Sequence, residues 1–586
     1  MARADGDSRK AVPARPALAR LLDLGAGRHH AMKLSRRALL TGSLPLAAGA
    51  AALWRSRRLA AASPNGVEGS IVGPDFDSGH LLRSGELPKP SERVEVPVAI
   101  YGGGISGLSA AWKLARAGFR DFRLFELERR PGGTSAYGRS PVTDYPWGAH
   151  YVPVPGPEAS AVRELFGDLG VITGRTAAGE PIFDERYLCF APHERLFQYG
   201  RWREGLYPAL GATAADLAEL AAFRREMRRY RHLKGSDGRK AFTLPMESSS
   251  RDPALLALDR MSMRQYLDSL GLSSSRLRWY VEYACRDDYG CTLETTSAWA
   301  GVFYYASRAA DDDEDERPRG GSQGPSEAGQ VLTWPAGNGW IVRRLEERFR
   351  DRISPRSLVC RVRVGRGDRV EADVFDLASR RMKTVVSRCA ILALPKYVVA
   401  RLMPDTGPWQ EFTYSPWVVA NVWVDALPQG RGAPPSWDNV FHASESLGYI
   451  TATHQHLSGR TGASVLTWYL PLCREEPAAA RARMLATPWE EWRRQIVADL
   501  SRGHPGIERD IRRIDVMLWG HAMVRPTPGF IWSPARQASA ALPSGPVFFA
   551  HADLSGLPLF EEAQYRGIAA AERALTALRI PFQSSL

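Results

Sequence analysis

The feature that most constrains this chain is a strand, a glycine-rich turn and a helix in direct succession. The apolar stretch Val98–Tyr101 predicts a buried strand, and three glycines follow it at once in the spacing GxGxxG. The first glycine permits a tight turn, the second lets the backbone approach a pyrophosphate, and the third lets the helix pack closely on the strand. Helix amides would then point at the phosphates. The residues of this predicted phosphate-binding turn are Gly102, Gly104, Ile105, Ser106 and Gly107.

A carboxylate at the expected distance completes the unit. A second predicted strand, Phe122–Phe125, ends in Glu126, about 20 residues beyond the last glycine. A carboxylate at this position accepts hydrogen bonds from both hydroxyls of an adenosine ribose and repels a 2′-phosphate, which disfavours NADP. The combination of strand, GxGxxG, helix, strand and Glu predicts a dinucleotide-binding α/β domain, and by itself it leaves FAD and NAD as alternatives.

Further short motifs follow along the chain. A second glycine turn, Pro131–Ser135, begins shortly after Glu126, and Tyr145–Pro155, Trp334–Leu345, Ser357–Val362 and Ala390–Val399 carry others. With these motifs in this order, the sequence resembles the flavin-containing amine oxidase superfamily over roughly residues 94–580. That superfamily includes monoamine and polyamine oxidases, phytoene desaturases and protoporphyrinogen oxidase. The resemblance implies FAD as the cofactor.

The resemblance also implies roles for individual residues. Gly132 and Gly133 would close around the FAD pyrophosphate, and Thr134 stands where the family has an Arg. The Gly148-Ala149 pair would run beneath the flavin, and the backbone of Val359 would meet the adenine. The FAD-binding residues added by the resemblance in this part of the chain are Gly132, Gly133, Thr134, Gly148, Ala149 and Val359.

The C-terminal stretch Gly545–Leu575 resembles the element that closes the family's FAD site. Asp553 takes the position of the acid that hydrogen-bonds the ribityl chain. A helix that opens at Glu562-Ala563-Gln564 would point its N-terminus at the flavin, which adds Ala563 to the binding residues. No Cys lies in this motif, so the resemblance does not indicate covalent attachment of FAD.

Two positions are candidate catalytic residues by the same resemblance. Trp519 resembles an aromatic residue near the flavin face, and packing in the core is the alternative. Arg401 falls where many of these oxidases have a Lys that holds a water; an Arg can orient a water but does not readily lose its proton. A place on a surface helix is the alternative for Arg401. Asp287 and Asp288 either receive a cationic substrate or are exposed acids at a helix end.

The predicted fold class is α/β, with a Rossmann-like FAD-binding domain built from discontinuous segments and a mixed α+β substrate domain. We expect the FAD-binding domain at 93–190, 331–402 and 521–586, and the substrate domain at 191–330 and 403–520, with a mobile acidic loop at 308–330. Residues 63–92, rich in Pro, Gly and Ser, predict a linker. Periodicity predicts helices in 210–235, 255–285 and 487–501, and strands in 357–375, 388–395 and 412–424.

The predicted function is FAD-dependent oxidation of a small molecule, with an amine C–N bond favoured and hydride transfer to the flavin as the chemistry. The enzyme alternative is a desaturase or isomerase of an apolar polyene, which the missing Lys favours. The alternative from another class is a binding protein that keeps the fold without turnover. The scattered cysteines form no CxxC pair, so no metal site is predicted. Cys285 and Cys291 are close enough in sequence to be bridged, but we expect two free thiols.

The positive charge of the chain has a local origin. The net charge is +13, but residues 1–62 hold twelve Lys or Arg and three Asp, which leaves only +4 for the rest. No basic stripe with interleaved aromatics remains, and we expect no nucleic-acid partner. The segment Met32–Trp54, with Arg36 and Arg37 ahead of an apolar run, resembles a twin-arginine export signal. It implies the twin-arginine translocase as a partner and a periplasmic location; an uncleaved N-terminal anchor is the alternative.

Overall fold

The computed structural model describes residues 66–84, 87–308, 330–404, 406–457, 462–541 and 545–586. These residues belong to one compact unit, Arg57–Leu586. The predicted export signal and N-terminal extension at 1–62, and the acidic loop at 308–330 apart from its two ends, lie outside the described residues. Within the described residues, no helix combines the length and the hydropathy that crossing a bilayer requires.

The strands of the described residues are numbered in chain order. They are β1 (Glu68–Gly73), β2 (Glu92–Tyr101), β3 (Phe122–Phe125), β4 (Tyr137–Arg139), β5 (Asp144–Pro146), β6 (Tyr151–Pro153), β7 (Ile172–Arg175), β8 (Pro181–Phe183), β9 (Glu194–Gln198), β10 (Arg201–Glu204), β11 (Val331–Thr333), β12 (Ile353–Ser354), β13 (Ser357–Val364), β14 (Val370–Asp376), β15 (Arg381–Leu392), β16 (Tyr414–Val424), β17 (Asp438–Phe441), β18 (Tyr449–Thr451), β19 (Ser464–Pro471), β20 (Ile511–Val524) and β21 (Val547–Phe549).

The α-helices of the described residues are numbered in the same way. They are α1 (Phe76–Ser84), α2 (Ile105–Arg116), α3 (Ser160–Asp168), α4 (Ala214–His232), α5 (Pro253–Leu256), α6 (Met263–Ser269), α7 (Ser275–Tyr289), α8 (Ala298–Ala306), α9 (Gly339–Phe349), α10 (Lys396–Leu402), α11 (Pro477–Ala486), α12 (Trp489–Gly503), α13 (Pro534–Ala541) and α14 (Phe560–Leu578).

The first large sheet is of the Rossmann type. Its order is β12-β3-β2-β15-β14-β13, with β21 paired to β15 as the seventh strand. Strands β2, β3, β15 and β21 are parallel, so their carboxyl ends meet at one edge of the sheet. Tyr101, Phe125, Leu392 and Phe549 mark that edge. Because ligands of such sheets bind beyond the carboxyl ends of the strands, this edge is where a dinucleotide is expected. The predicted α/β class is confirmed.

The second large sheet has eight strands in the order β1-β20-β16-β19-β18-β17-β9-β10. The long strands β16, β19 and β20 are antiparallel neighbours at its centre. One large apolar cluster packs helices α4 to α8 on this sheet and includes Trp299, Tyr289 and Phe303, all almost fully buried. A separate cluster packs α2, α9 and α14 against the Rossmann-type sheet.

The segment predicted to be a linker differs from expectation. Residues 63–92 contain β1, which pairs in parallel with β20, and α1. The content of Pro, Gly and Ser predicted a linker, but Gly69 lets β1 pack closely on β20, because a Cβ there would lie 1.8 Å from the carbonyl oxygen of Ile514. The glycine therefore permits strand pairing at this position.

Most elements predicted from periodicity are present. The strands and turn predicted in 357–375 are β13 and β14, the strand in 412–424 is β16, and helices α4 and α12 occupy 210–235 and 487–501. The helical stretch 255–285 is divided among α5, α6 and α7. The break between α6 and α7 has a local cause, because Gly271 has a φ of +69° and the Ser274 hydroxyl caps α7 by accepting from the amide of Leu277.

Candidate functional site

The first glycine turn is shaped by close backbone packing on one side and open space on the other. Gly102 has a φ of +103°, and a Cβ there would lie 2.3 Å from the carbonyl oxygen of Ala393. A Cβ at Gly107 would lie 1.9 Å from the carbonyl oxygen of Gly102. A Cβ at Gly104, in contrast, would meet no atom within 4 Å. Gly104 therefore faces an opening at the N-terminus of α2, where backbone amides favour an anion.

The second glycine turn lies against the first. The amide of Gly132 donates a 2.8 Å hydrogen bond to the carbonyl of Gly103, and a Cβ on Gly133 would lie 3.4 Å from the Cα of Gly104. The exposed Thr134 continues the turn, and its carbonyl accepts a 3.0 Å hydrogen bond from the amide of Ala149. A Cβ at Gly148 would lie 2.2 Å from the same carbonyl. The second turn thus joins the first turn, at Gly104, to the Gly148–Ala149 segment.

Glu126 lies at the end of β3, beside the first turn. Its Oε2 accepts from the amide of Gly103 at 2.7 Å and its Oε1 from the amide of Glu128 at 2.8 Å. Burial raises the pKa of Glu126 to about 7, although the two amides act in the opposite direction. The carbonyl of Glu126 accepts a hydrogen bond from the amide of Ser357. Ser357 is the first residue of β13, the strand that contains the buried Val359. Glu126 and Val359 therefore lie at the same end of the Rossmann-type sheet.

Asp553 follows β21 at the carboxyl-end edge of the sheet and is 1% exposed. Its Oδ2 accepts from the amide of Lys396 at 2.7 Å and from the hydroxyl of Tyr414 at 2.5 Å. Its Oδ1 lies 2.9 Å from Nδ1 of His551. Burial acts to raise the pKa of Asp553, but His551 and the hydrogen bonds outweigh it and lower the pKa. Asp553 is thus an ionised group whose protein partners already engage both of its oxygens.

The C-terminal helix α14 packs directly on α2. The hydroxyl of Ser106 donates to the carbonyl of Ala563 at 2.8 Å, and a Cβ at Gly567 would lie 2.1 Å from the carbonyl oxygen of Ser106. The first turn of α14 carries the buried acids Glu561 and Glu562. Burial raises the pKa of Glu561 to about 7. The N-termini of α2 and α14 therefore lie side by side.

A cavity of about 130 Å³ lies beside the second glycine turn, between Thr134, the start of α14 and the central strands of the eight-stranded sheet. Four residues that line it carry a buried polar atom with no hydrogen-bond partner within the described residues, and such atoms call for an explanation. These atoms are Arg308 Nη1, Asn338 Oδ1, Trp417 Nε1 and Glu561 Oε1. The other residues that line the cavity are Thr134, Gly148, Ala149, His150, Tyr151, Pro153, Asp287, Asp288, Val419, Tyr469, Trp519, Ala522, Met523, Pro558, Leu559 and Phe560.

The two candidate catalytic residues are placed differently. Trp519 lies on the cavity wall, where its Nε1 donates to the carbonyl of Trp147 at 2.6 Å. Arg401 is exposed near the end of α10 and is not part of the cavity wall, in line with the surface-helix alternative. Lys396 is buried, but its Nζ donates to the carbonyl of Thr406 at 2.5 Å and it does not line the cavity either. Of these three residues, only Trp519 can meet a ligand in the cavity.

Asp287 and Asp288 are not the exposed helix-end acids that one alternative described. Both line the cavity at the C-terminal end of α7, and Asp288 is 5% exposed. Asp288 pairs with the buried Arg308 and accepts a 3.1 Å hydrogen bond from the hydroxyl of Tyr151. Asp287 forms no ion pair within the described residues. Burial raises its pKa well above the ordinary value, and Asp288 and Asp438 add to the increase.

Several site residues were missed in the sequence. Arg308 was assigned to the acidic loop, and the pairs Tyr414–Asp553 and Arg308–Asp288 join residues far apart in the chain. The cysteines are all free thiols, so Cys285 and Cys291 are not bridged. Asp287 and Asp288, in contrast, were named in the sequence as acids that either receive a cationic substrate or lie exposed at a helix end, and the structure places both on the cavity wall.

Comparisons with known proteins agree with this geometry. A family model described as an NAD(P)-binding Rossmann-like domain matches residues 100–169. No curated protein matches the chain. Similar solved structures include putrescine oxidase bound to putrescine (TM-score 0.58, 16% identity, 83% of this chain and 100% of that chain). They also include cyclohexylamine oxidase from Brevibacterium oxydans IH-35A (0.56, 15%, 83% and 99%) and a CLA-producing fatty acid isomerase from P. acnes (0.53, 14%, 82% and 98%). The chain has the fold of these proteins, with a Rossmann-like dinucleotide-binding domain in its N-terminal part.

Proposed function

We propose that this protein is an FAD-dependent oxidoreductase that oxidises an amine at the carbon next to the nitrogen. The observation that carries the proposal is the chain of contacts between the first glycine turn and the cavity. Gly104 has open space beside it and lies against Gly133, and the next residue, Thr134, lines the same cavity as the buried carboxylates Asp287 and Asp288. A cofactor and a cationic substrate can therefore meet in a single cavity.

The residues present fit FAD. The open side of Gly104 and the adjoining Gly133 leave room for the pyrophosphate, and Glu126 lies where the adenosine ribose would be. The cavity beyond Thr134 then has space for a flavin ring beside the N-terminus of α14. Unpartnered polar atoms, including Asn338 Oδ1 and Glu561 Oε1, are available to such a ring. The resemblance and the similar oxidase structures support the same cofactor.

The chemistry follows from the cofactor and the cavity wall together. A bound flavin would supply the hydride acceptor for oxidation of the C–H bond next to the amine nitrogen, and the imine product would be hydrolysed by water. The chain must bring that C–H bond to within about 3–3.5 Å of the acceptor and keep bulk water away. The rings of Trp417, Tyr469 and Trp519 form the apolar part of the wall that serves this purpose.

Charge on the cavity wall favours an amine over an apolar polyene. Arg308 neutralises Asp288, whereas Asp287 has no cationic partner within the described residues. Burial lowers the pKa of His150 to about 4, so this imidazole is neutral at physiological pH and does not repel a cation. The ammonium group of a substrate would be a positively charged partner for Asp287, and the aromatic rings of the wall offer cation–π contacts.

A desaturase or isomerase of a polyene is the second candidate. Its support is the absence of any Lys among the residues that line the cavity, together with the likeness to the fatty acid isomerase. Anaerobic mixing of the purified holoprotein with amines, amino acids and polyenes separates the two. Bleaching of the flavin spectrum by amines supports the proposal. Conversion of a polyene without any response to amines supports the second candidate, and no response to any compound supports a non-catalytic binding protein.

We also propose export by the twin-arginine route, which suits a protein that takes up FAD as it folds in the cytoplasm. The support is the pair Arg36–Arg37 ahead of an apolar run. Replacement of both by Lys is expected to retain the protein in the cytoplasm of a bacterial host, with unchanged flavin content. Delivery of that variant to the periplasm at the wild-type level would contradict export by this route.

A further inference from the structure

A cavity of about 330 Å³ lies outside the candidate site, between α7, α12 and the loops that follow β17 and β19. Of the described residues that line it, none lines the cavity beside the second glycine turn. Tyr283 lines both this cavity and a smaller one whose wall carries Asp287 and Asp438. We call the 330 Å³ cavity the arginine pocket, because its wall carries three arginines, Arg286, Arg474 and Arg502.

Arg286 is the buried arginine of this pocket. It is 5% exposed and lies in the last turn of α7. Its Nη2 donates to the carbonyl of Glu445, but Nε has no hydrogen-bond partner, and the side chain forms no ion pair within the described residues. Burial raises the pKa of the neighbouring Cys473 thiol, although the charge of Arg286 opposes the increase, so this thiol stays neutral and balances no charge. Because an Arg keeps its proton and a buried charge is costly without a counter-ion, the guanidinium lacks an anionic partner.

The two carboxylates on the wall of the arginine pocket are already paired with another arginine. Arg474 donates from Nη2 to Glu282 at 2.7 Å and from Nε to Glu445 at 2.6 Å. Neither acid forms an ion pair with Arg286. The imidazole of His442, also on the wall, adds no charge at neutral pH because burial lowers its pKa. Three guanidinium groups and two carboxylates line the pocket, which leaves one positive charge in excess.

Arg502 provides a second guanidinium with unused donors. Its Nε donates to Asp499 at 3.1 Å, whereas its two terminal nitrogens have no partner within the described residues. Asp499 is not among the lining residues, and it also accepts from the hydroxyls of Ser444 and Ser446 and from Nε1 of Trp468. About half of the Arg502 side chain is exposed, so the pocket combines one buried and one accessible guanidinium.

Another buried arginine shows how this fold satisfies a guanidinium without a ligand. Arg195 is fully buried, and each of its three nitrogens donates a hydrogen bond within the protein. The acceptors are Oδ1 of Asn439 at 2.5 Å, the carbonyl of Ala433 at 3.0 Å and the hydroxyl of Tyr449 at 3.2 Å. Arg286 lies on a cavity wall and has an unpartnered Nε instead. This difference favours a ligand-binding role for Arg286 over a purely structural one.

We infer that the arginine pocket binds a small anion that carries a carboxylate or phosphate group. The oxygens of the anion accept hydrogen bonds from Nε of Arg286 and from the terminal nitrogens of Arg502, and the anion supplies the negative charge that the wall lacks. The planar fork of a guanidinium suits both groups, which present two or more oxygens at matching spacing. The site is independent of the proposed amine oxidation, because FAD and the amine would use other residues.

Calorimetric titration of the FAD-saturated protein tests the site, with inorganic phosphate and acetate as probes in a chloride background of constant ionic strength. Saturation with FAD keeps the probes away from the glycine turns. We expect at least one probe to bind saturably, at one site per chain. Arg286→Gln should weaken this binding by at least about tenfold, as for loss of a hydrogen bond to a charged group. Arg502→Gln, at an exposed side chain, should weaken it by about two- to fivefold.

The matched control is Arg494→Gln, which removes an exposed arginine from the same helix, α12, outside the pocket. It should bind the probe with wild-type affinity. Thermal melting in chloride shows whether each variant folds, and if Arg286→Gln does not fold, Arg502→Gln decides the question.

Two results would overturn the inference: no saturable binding of either probe, or binding that the folded pocket variants leave unchanged. Binding of phosphate alone or of acetate alone supports the site and identifies the group that it prefers. The proposed function fails on a different result, namely that no amine bleaches the flavin anaerobically, and that result leaves the titrations unaffected.

Discussion

The hydroxyl of Ser106 donates a 2.8 Å hydrogen bond to the carbonyl of Ala563, across 457 positions of the chain. It joins α2, the helix after the first glycine turn, to α14, the helix that closes the C-terminal motif. Gly567 brings the two helices close, since a Cβ there would lie 2.1 Å from the carbonyl oxygen of Ser106. The two helix N-termini consequently lie side by side, although the elements between them in the chain form most of the second sheet and its helices.

The two glycines of the first turn should respond differently to the same added methyl group. In Gly107→Ala the Cβ would lie 1.9 Å from the carbonyl oxygen of Gly102, and this overpacking should lower the free energy of unfolding by about 1–3 kcal/mol or more. In Gly104→Ala the Cβ meets open space and the φ of −72° suits alanine, so stability should change by less than about 1 kcal/mol.

The FAD content of Gly104→Ala tests whether the open space beside Gly104 holds the pyrophosphate. Gly104→Ala should fold normally and bind FAD more weakly, because the methyl group enters the space that the pyrophosphate uses. Denaturant unfolding and flavin fluorescence after denaturation check the two properties. Full flavin content in Gly104→Ala would contradict the assigned position of the pyrophosphate.

Glu126 should make cofactor binding depend on pH. Its pKa is raised to about 7 by burial, so below that pH the ligand-free protein holds a proton that ribose binding must expel. Affinity for FAD should therefore fall by up to about tenfold for each pH unit below 7. Glu126→Gln should weaken binding about ten- to hundredfold, as for loss of a hydrogen bond to a charged group, and should remove the pH dependence. Titration of apoprotein with FAD at several pH values measures both effects, and a pH-independent wild type would argue against this role.

Replacing only one residue of the buried ion pair Arg308–Asp288 should lower the free energy of unfolding strongly. Arg308→Met leaves the carboxylate of Asp288, which is 4% exposed in its side chain, with only the hydroxyl of Tyr151 as a partner. We expect a loss of about 3–5 kcal/mol in the free energy of unfolding. The double variant Arg308→Met, Asp288→Asn should recover much of that loss, since neither charge then remains. Chemical denaturation of the wild type, Arg308→Met, Asp288→Asn and the double variant checks this, and additive losses in the double variant would mean that the pair is not coupled.

Asp438 should make the ligand-free protein less stable as pH rises. Its pKa is about 8 in the folded state against 3.8 ordinarily, so between these values the folded chain binds a proton that the unfolded chain has lost. The free energy of unfolding contributed by this group is therefore retained below about pH 4 and lost as the pH rises toward 8. Asp438→Asn should flatten the dependence and be more stable than wild type at pH 8. Melting temperatures measured from pH 5 to 9 test this, and parallel curves would contradict it.

The sequence predicts those parts of the site whose residues lie close together in the chain. The Rossmann unit from Val98 to Glu126 is local, and GxGxxG spacing with a following acid specifies its geometry almost fully. The strand pair β13–β14 is equally local, since its alternation and its turn lie within 357–375.

The parts that the sequence did not predict depend on contacts between distant segments. Tyr414 reaches Asp553 only because β16 and the C-terminal motif fold onto the same end of the Rossmann-type sheet. Asp438 and Asp287 meet in one cavity from separate elements, β17 and α7, and no local pattern couples them. Gly69 contributed to the glycine content that predicted a linker. Its position requires glycine because the carbonyl of Ile514, on the distant strand β20, leaves no room for a Cβ, and the local sequence does not show that contact.

The measurement that tests the central claim most directly is the visible absorption spectrum of the purified, folded full-length protein, followed by identification of any released chromophore. The account predicts a yellow protein that releases about one FAD per chain on denaturation, with the apoprotein able to take FAD up again. A well-folded, colourless protein that fails to bind added FAD would contradict it.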